Sequence, residues 1–271
     1  MKERAADIVT YVLLFIWTAF TVFPFIQLTL TAFTGRTFIT SLRPEYFTLS
    51  NFDEVIRFAG YSYVNSLITA LGAMIINVPI SSLAAYAFSR FNFYGKKLLQ
   101  NFLFVVFATP LVTAFIPLFI LFRSLRLINT LMCLILIGAT TPIPLNVWFA
   151  QRYFDTIPRE LEEAAMIDGC SAFRSFIKIT LPLATPALVT MSLISFLITW
   201  NEFLLAVILI SSPRNFTFTA ALTGLGATYY GGFRYGILAA GSLLGLIPLI
   251  IFFALFRKML VRGLTQGAIK G

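Results

Sequence analysis

The chain has 271 residues, of which 59% are hydrophobic and 11% charged, where an ordinary soluble domain carries roughly 25% charge. So little polar surface excludes a water-soluble fold and points to an all-α integral membrane protein. The formal charge of +9 is dispersed between apolar runs, which excludes nucleic acid as a partner and leaves membrane lipid, while the lack of histidine excludes histidine-dependent metal sites and Ser-His-Asp chemistry.

Crossing ~30 Å of hydrocarbon takes about 20 apolar residues. Six such runs follow in order, near 8–33, 63–88, 98–122, 131–150, 183–210 and 235–256. They predict six transmembrane helices in one membrane domain over 1–271. The first run has too long an apolar core for a cleavable signal, and no A-x-A-like site follows it. Pro24, Pro79, Pro110, Pro117, Pro142, Pro144, Pro186 and Pro248 fall inside the runs. Each removes a backbone donor and predicts a kink. Lys and Arg divide unequally between the two sides, 13 of the 20 lying with the termini and the 151–182 segment. The positive-inside rule then places both termini and that segment in the cytoplasm.

The 151–182 segment is the longest polar interruption in the second half of the chain. Pro158 suits a first helical turn, and helix is predicted from Arg159 to Asp168, with Leu161, Ala164 and Ala165 sharing one face. Gly169 predicts a left-handed stop. Ser171 predicts the cap of a second short helix carrying Phe173, Phe176 and Ile177. The result is a helix–turn–helix at the membrane surface. Its carboxylates Glu160, Glu162 and Glu163 offer charge-assisted bonds to a basic partner residue. A solvated amphipathic connector is the alternative reading.

Glu163-Ala164-Ala165, three residues, Gly169, nine residues, then Ile179-x-Leu181-Pro182 resembles the EAA loop of bacterial ABC importer permeases. Further along, Trp200-Asn201-Glu202-Phe203, Asn129-Thr130, Ala239-Ala240 with Pro248, and the ending Gly263-Leu264-Thr265-Gln266-Gly267-Ala268-Ile269-Lys270-Gly271 resemble sugar-importer permeases of the maltose-permease G type. Arg257 and Phe218-Thr219 depart from the usual Gln and Leu-Pro of that group. The resemblance implies the type I ABC importer fold, in which Glu163, Ala164, Ala165 and Gly169 form the element that takes force from an ATPase. It also implies a bacterial inner (plasma) membrane location and four kinds of assembly component: this chain, a second nonidentical permease subunit, two ATPase subunits and an extracytoplasmic solute-binding protein. The substrate class would be an oligosaccharide, a disaccharide or a related polyol phosphate. No cofactor is expected on this chain; ATP and Mg would sit on the partner ATPase. The tail from Gly263 would reach toward that ATPase, or would be a frayed Gly-rich end.

Glu202 is the sole acidic residue inside an apolar run. Counted along a continuous helix from Thr185 at ~1.5 Å per residue, it lies roughly 25 Å along, past the midplane. Ionisable groups at such depth face a bundle interior or a water-filled cavity. Trp200, Asn201 and Glu202 are therefore candidate pathway residues, with an interhelical or inter-subunit ion pair as the alternative for Glu202. Asn77, Asn146 and Trp148 are weaker candidates, read as interhelical or packing groups. Gly241 and Gly245 form a G-x-x-x-G that predicts close helix packing. The 211–234 loop, with Gly224, Gly226, Tyr229, Tyr230, Gly231 and Gly232, is either a contact for a docked binding protein or a plain connector.

The Gly95-Lys96-Lys97 stretch lacks the upstream glycine and hydroxyl residue of a phosphate-binding loop, so ATP chemistry falls to another chain. A secondary transporter would need several intramembrane ionisable groups, and an integral membrane enzyme a cluster of polar groups near one interface. The sequence offers one carboxylate for the first and no convincing cluster for the second.

Overall fold

The computed structural model describes residues 2–34, 47–227 and 234–266, and among these residues there is helix and no β-strand. Arg36, Arg43, the 229–232 Tyr/Gly stretch and the 267–271 end of the tail lie outside them. Three helices are long and apolar enough to span a bilayer: α1 (Lys2–Ala32), α2 (Ser50–Arg90) and α13 (Tyr235–Gln266). In α1 the apolar stretch Val9–Ala32 is 24 residues with none of its window buried, about 36 Å of helix. Leu13, Phe15, Trp17 and Phe20 are 62–75% exposed, which only hydrocarbon or another protein can cover.

The remaining apolar runs are not the single helices the sequence predicts. The third is α3 (Lys96–Ala108) followed by a 3₁₀ turn and α4 (Phe115–Ser124), bent by 95°. Thr109, before Pro110, is extended (φ −79°, ψ 123°), as the proline ring requires of its predecessor. The fourth is α5 (Leu131–Thr140) and α6 (Ile143–Phe154), bent by 40° around Thr141-Pro142. The fifth is α10 (Thr185–Trp200) and a separate α11 (Leu204–Leu209), interrupted at 201–203. By contrast, helix runs unbroken through Pro24, Pro79 and Pro248. The expected 34–62 and 211–234 loops also hold helix: α2 begins at Ser50, and α12 covers Phe218–Gly226.

The chain divides into two compact units. In the unit of Ser62–Ala220 with Leu249–Gly271, one core gathers Ala85, Tyr86 and Phe88 of α2 with Val147, Phe154, Phe176 and Met191. A second gathers Phe122, Leu134, Leu205 and Leu209. A polar clasp of Asn77, Asn146 and Ser195, each with no exposed surface, ties α2, α6 and α10 together. Asn146 Nδ2 donates to Asn77 Oδ1 (2.6 Å) and Ser195 Oγ (2.8 Å), Ser195 Oγ donates to Asn77 Oδ1 (2.9 Å), and Asn77 Nδ2 donates to Ala139 O (2.7 Å). These bonds satisfy both amide nitrogens and Asn77 Oδ1, while Asn146 Oδ1 has no partner among the described residues.

In the other unit, Met1–Tyr61 with Ala221–Pro248, Asn51 Nδ2 donates to Ala32 O (2.9 Å) and Thr34 O (2.8 Å), closing the end of α1. Arg234 grips Glu54 with both terminal nitrogens, at 2.5 and 2.7 Å. A Cβ placed on Gly241 would run into Leu222 of α12, so the tight approach falls on that short helix. Gly245, one turn later, is half-buried.

Candidate functional site

The 151–182 segment folds as its local chemistry dictates. Helix α7 (Glu160–Ile167) starts with Arg159 O accepting from the N–H groups of Glu162 and Glu163, both at 3.0 Å. Three glutamates in this first turn complement the positive helix end. Pro158 lies outside the helix, two residues before its first, and Arg159 between them donates through Nη2 to Ser89 O at 2.9 Å. The helix closes on a Schellman turn, with Gly169 N donating to Met166 O (3.1 Å) and Cys170 N to Ala165 O (2.9 Å). Gly169 sits at φ +88°, and a Cβ there would meet nothing within 4 Å. Its requirement is conformational rather than steric. Ser171 Oγ accepts from Arg174 N at 3.4 Å and opens α8 (Ala172–Ser175), which continues through a π-helical turn (Phe176–Thr180) into α9 (Leu181–Leu183).

Glu162 corrects the sequence expectation that all three glutamates offer themselves to a partner. It points inward, 4% exposed. Arg90 Nε donates to its Oε1 at 2.7 Å and Tyr86 OH to its Oε2 at 2.6 Å. Arg90 lies in the last turn of α2 and also donates through Nη2 to Ile157 O at 3.0 Å, while Ser89 Oγ donates to Asp155 Oδ1 at 2.6 Å. Burial alone would push the Glu162 carboxyl up; the bonds from Tyr86 and Arg90 outweigh it and hold the group below its ordinary value. Tyr86 in turn packs on Phe176 at 4.5 Å between ring centroids. Both arms of the helix–turn–helix are thus fastened to the end of α2.

What remains outward is Glu163 and Ala164, with Leu161, Met166, Ile167, Phe173 and Ile177 at 44–86% exposure. Ala165 is half-buried. The loop therefore presents an apolar face with an acidic edge on a rigid mount. The first arm cannot swing away from α2 without breaking the Arg90–Glu162 pair, nor the second without parting Phe176 from Tyr86.

Residues 77–266 match the family described as "Binding-protein-dependent transport system inner membrane component". The chain belongs to this family. It is 32% identical over 283 residues to the arabinooligosaccharide transport system permease protein of Halalkalibacterium halodurans, covering all of both chains. It is 36% identical over 256 residues to the trehalose/maltose transport system permease protein of Thermococcus litoralis, covering 92% of this chain and 91% of that one. The crystal structure of a bacterial ABC transporter involved in import of the polysaccharide alginate has the same fold, with a TM-score of 0.80 at 21% identity over 95% of this chain and 97% of that one. The protein is a multi-pass permease subunit of an ABC importer and is not itself the ATPase.

In this permease the three candidate pathway residues have separate surroundings. Trp200 is 4% exposed, stacked on Phe196 at 5.6 Å and edge-on to Tyr63 at 5.3 Å. Its indole is core, not an open platform. Asn201 is exposed and donates back to Leu197 O at 2.9 Å. Glu202 occupies the break between α10 and α11, where its Oε1 accepts from Leu205 N at 2.8 Å, and it lines a cavity. Asn77 and Asn146 are the buried clasp, and Trp148 is exposed under the Arg152 guanidinium, 4.6 Å from the ring centroid. The residues that sequence reading missed are Tyr86, Ser89 and Arg90. Their one visible signal is a basic residue closing an apolar run, at the point where a helix end meets a loop.

Proposed function

We propose that this permease is one of two nonidentical membrane subunits of an ATP-driven carbohydrate importer. The observation that carries the substrate class is the pair of near full-length relatives, one named for arabinooligosaccharides and one for trehalose and maltose. An oligosaccharide or disaccharide is the expected cargo. The coupling role rests on the fastened loop. Glu163, Ala164, Ala165 and the Gly169 turn seat in a cleft of the ATPase, two copies of which bind ATP and Mg and close together. Closure pulls the loops inward and turns the permease pair outward, toward a sugar-loaded binding protein. Hydrolysis resets it. Both termini lie in the cytoplasm, a reading supported by the 13 of 20 basic residues on that side.

Purification of the chain from native membranes in mild detergent, followed by mass spectrometry, tests the assembly. A second permease and a doubly represented ATPase are expected. A chain that purifies alone and transports in proteoliposomes without ATP overturns the proposal. Uptake of labelled malto- and arabino-oligosaccharides with the cognate binding protein tests the cargo.

A further inference from the structure

We propose that the start of α3 and the end of α6 form a seat for the headgroup of an anionic phospholipid. The two helices run antiparallel and are joined by Gln100 Nε2, which donates to Gln151 Oε1 at 3.0 Å. α3 starts and α6 ends where Ser89 and Arg90 meet Asp155 and Ile157. The proposed orientation puts this end at the cytoplasmic surface.

The Gln100–Gln151 bond separates a packed flank from an open one. Lys96, Gln100 and Leu103, spaced i, i+4, i+7, are half-buried. Leu103 packs on the core that holds Val147, Ala150 and Phe154 of α6. At ~100° per residue, Lys97 and Asn101 stand about 60° and about 100° round the axis from Gln100, and Trp148 and Arg152 stand at the same angles from Gln151. Turning in one sense on two antiparallel helices leads to the same side, so these four share a flank. All four are exposed.

This flank is positive and unpaired. Neither Lys97 nor Arg152 has a carboxylate partner among the described residues. Lys96 adds a third positive charge at the edge, its Nζ donating to Phe91 O at 3.1 Å. The carboxylate one turn beyond Arg152 is Asp155, which already accepts from Ser89 Oγ at 2.6 Å. The Arg152 guanidinium lies 4.6 Å from the centroid of the Trp148 ring, and Trp148 is 56% exposed. An exposed indole at the end of an apolar run belongs at the membrane–water boundary. Deeper on the same flank, Phe104 and Val105 are 70% and 59% exposed. Cations above a tryptophan and an apolar strip below it match a lipid, with its phosphate on Lys97 and Arg152 and its chains along Phe104 and Val105. Clustered basic residues at this level favour anionic headgroups. A zwitterionic headgroup brings its own cation and gains less.

The test uses the purified importer complex in neutral-detergent micelles. It is titrated with phosphatidylglycerol or phosphatidylcholine carrying dibrominated chains, which quench nearby tryptophan. The signal read is the difference between wild type and Trp148→Phe. Phosphatidylglycerol is expected to quench Trp148 saturably and at lower concentration than phosphatidylcholine. Lys97→Gln with Arg152→Gln is expected to raise its half-saturation by about tenfold or more, and Lys97→Arg with Arg152→Lys to keep the preference. Unfolding in detergent alone shows whether each variant is folded. Glycerol phosphate, the headgroup without chains, is expected not to displace the lipid; displacement marks a site for a soluble phosphate and overturns the proposal. Equal quenching by the two lipids overturns it, as does unchanged half-saturation in the double glutamine variant. So does an unquenched Trp148, the result when the second permease covers this flank. These readouts depend neither on the transported solute nor on which way the chain faces.

Discussion

Replacing Arg90 with leucine should release the loop while leaving the membrane helices in place. The pair is buried, with side-chain exposures of 8% for Arg90 and 5% for Glu162. Removing one partner of a buried pair costs about 3–5 kcal/mol, because the other charge is stranded. The lower end applies, since Tyr86 OH still donates to Glu162 Oε2 at 2.6 Å. About 3 kcal/mol is roughly two decades in the ratio of docked to undocked loop. Hydrogen exchange of the amides from 160 to 170, followed by mass spectrometry on the reconstituted complex, should accelerate by about 10²-fold. Sugar moved per ATP hydrolysed should fall with it. The double variant Arg90→Leu with Glu162→Leu leaves no stranded charge, and its exchange should be slower than that of Arg90→Leu alone. Unchanged exchange in Arg90→Leu, or a double variant that exchanges faster than the single one, would refute the reasoning.

Further expectations concern the same loop and the clasp. Because the Glu162 carboxyl is held below its ordinary value of 4.5, its contribution is complete above that value and is lost as pH falls through the lowered one; loop exchange should rise in that acid window in wild type and not in Glu162→Gln. Gly169→Val forces a branched residue into φ +88°, costing at least about 1–2 kcal/mol, and should uncouple ATP hydrolysis from uptake, whereas Gly169→Asn, which tolerates that region, should keep most transport in the same assay. Glu163→Lys reverses an exposed charge and should lower uptake and ATPase capture on pull-down while leaving the unfolding temperature unchanged; normal uptake would count against the docking role. Asn77→Leu takes the acceptor from Ser195 Oγ and the donor from Ala139 O and should lower the unfolding temperature, reflecting a cost of about 1–3 kcal/mol.

The legible parts of the loop were those set by neighbours in sequence. Gly169 and Ser171 stop and restart helices through contacts with residues at most four positions away, so their spacing reads directly. Glu162 and Glu163 are indistinguishable in sequence, and what separates them is an arginine 72 positions upstream. The helix breaks were legible in part. Pro110 and Pro142 interrupt their spans, yet helix runs on through Pro79. The interruption at 201–203 contains no proline or glycine at all, and there Glu202 and Thr219 take up backbone groups freed by the break. Trp200 reads as a sugar platform by residue type, but its burial depends on Tyr63 and Phe196 closing over it.

The outward face of the loop has a consequence for the life of the chain before assembly. Ile167 is 86% exposed and Phe173 60% exposed, and the proposed orientation puts both in water rather than in lipid. An unassembled copy therefore displays what chaperones and membrane proteases bind. Made in excess of its ATPase, the chain should be short-lived; made together with it, it should accumulate. The surface proposed to dock the motor would thus also mark a subunit that never found it.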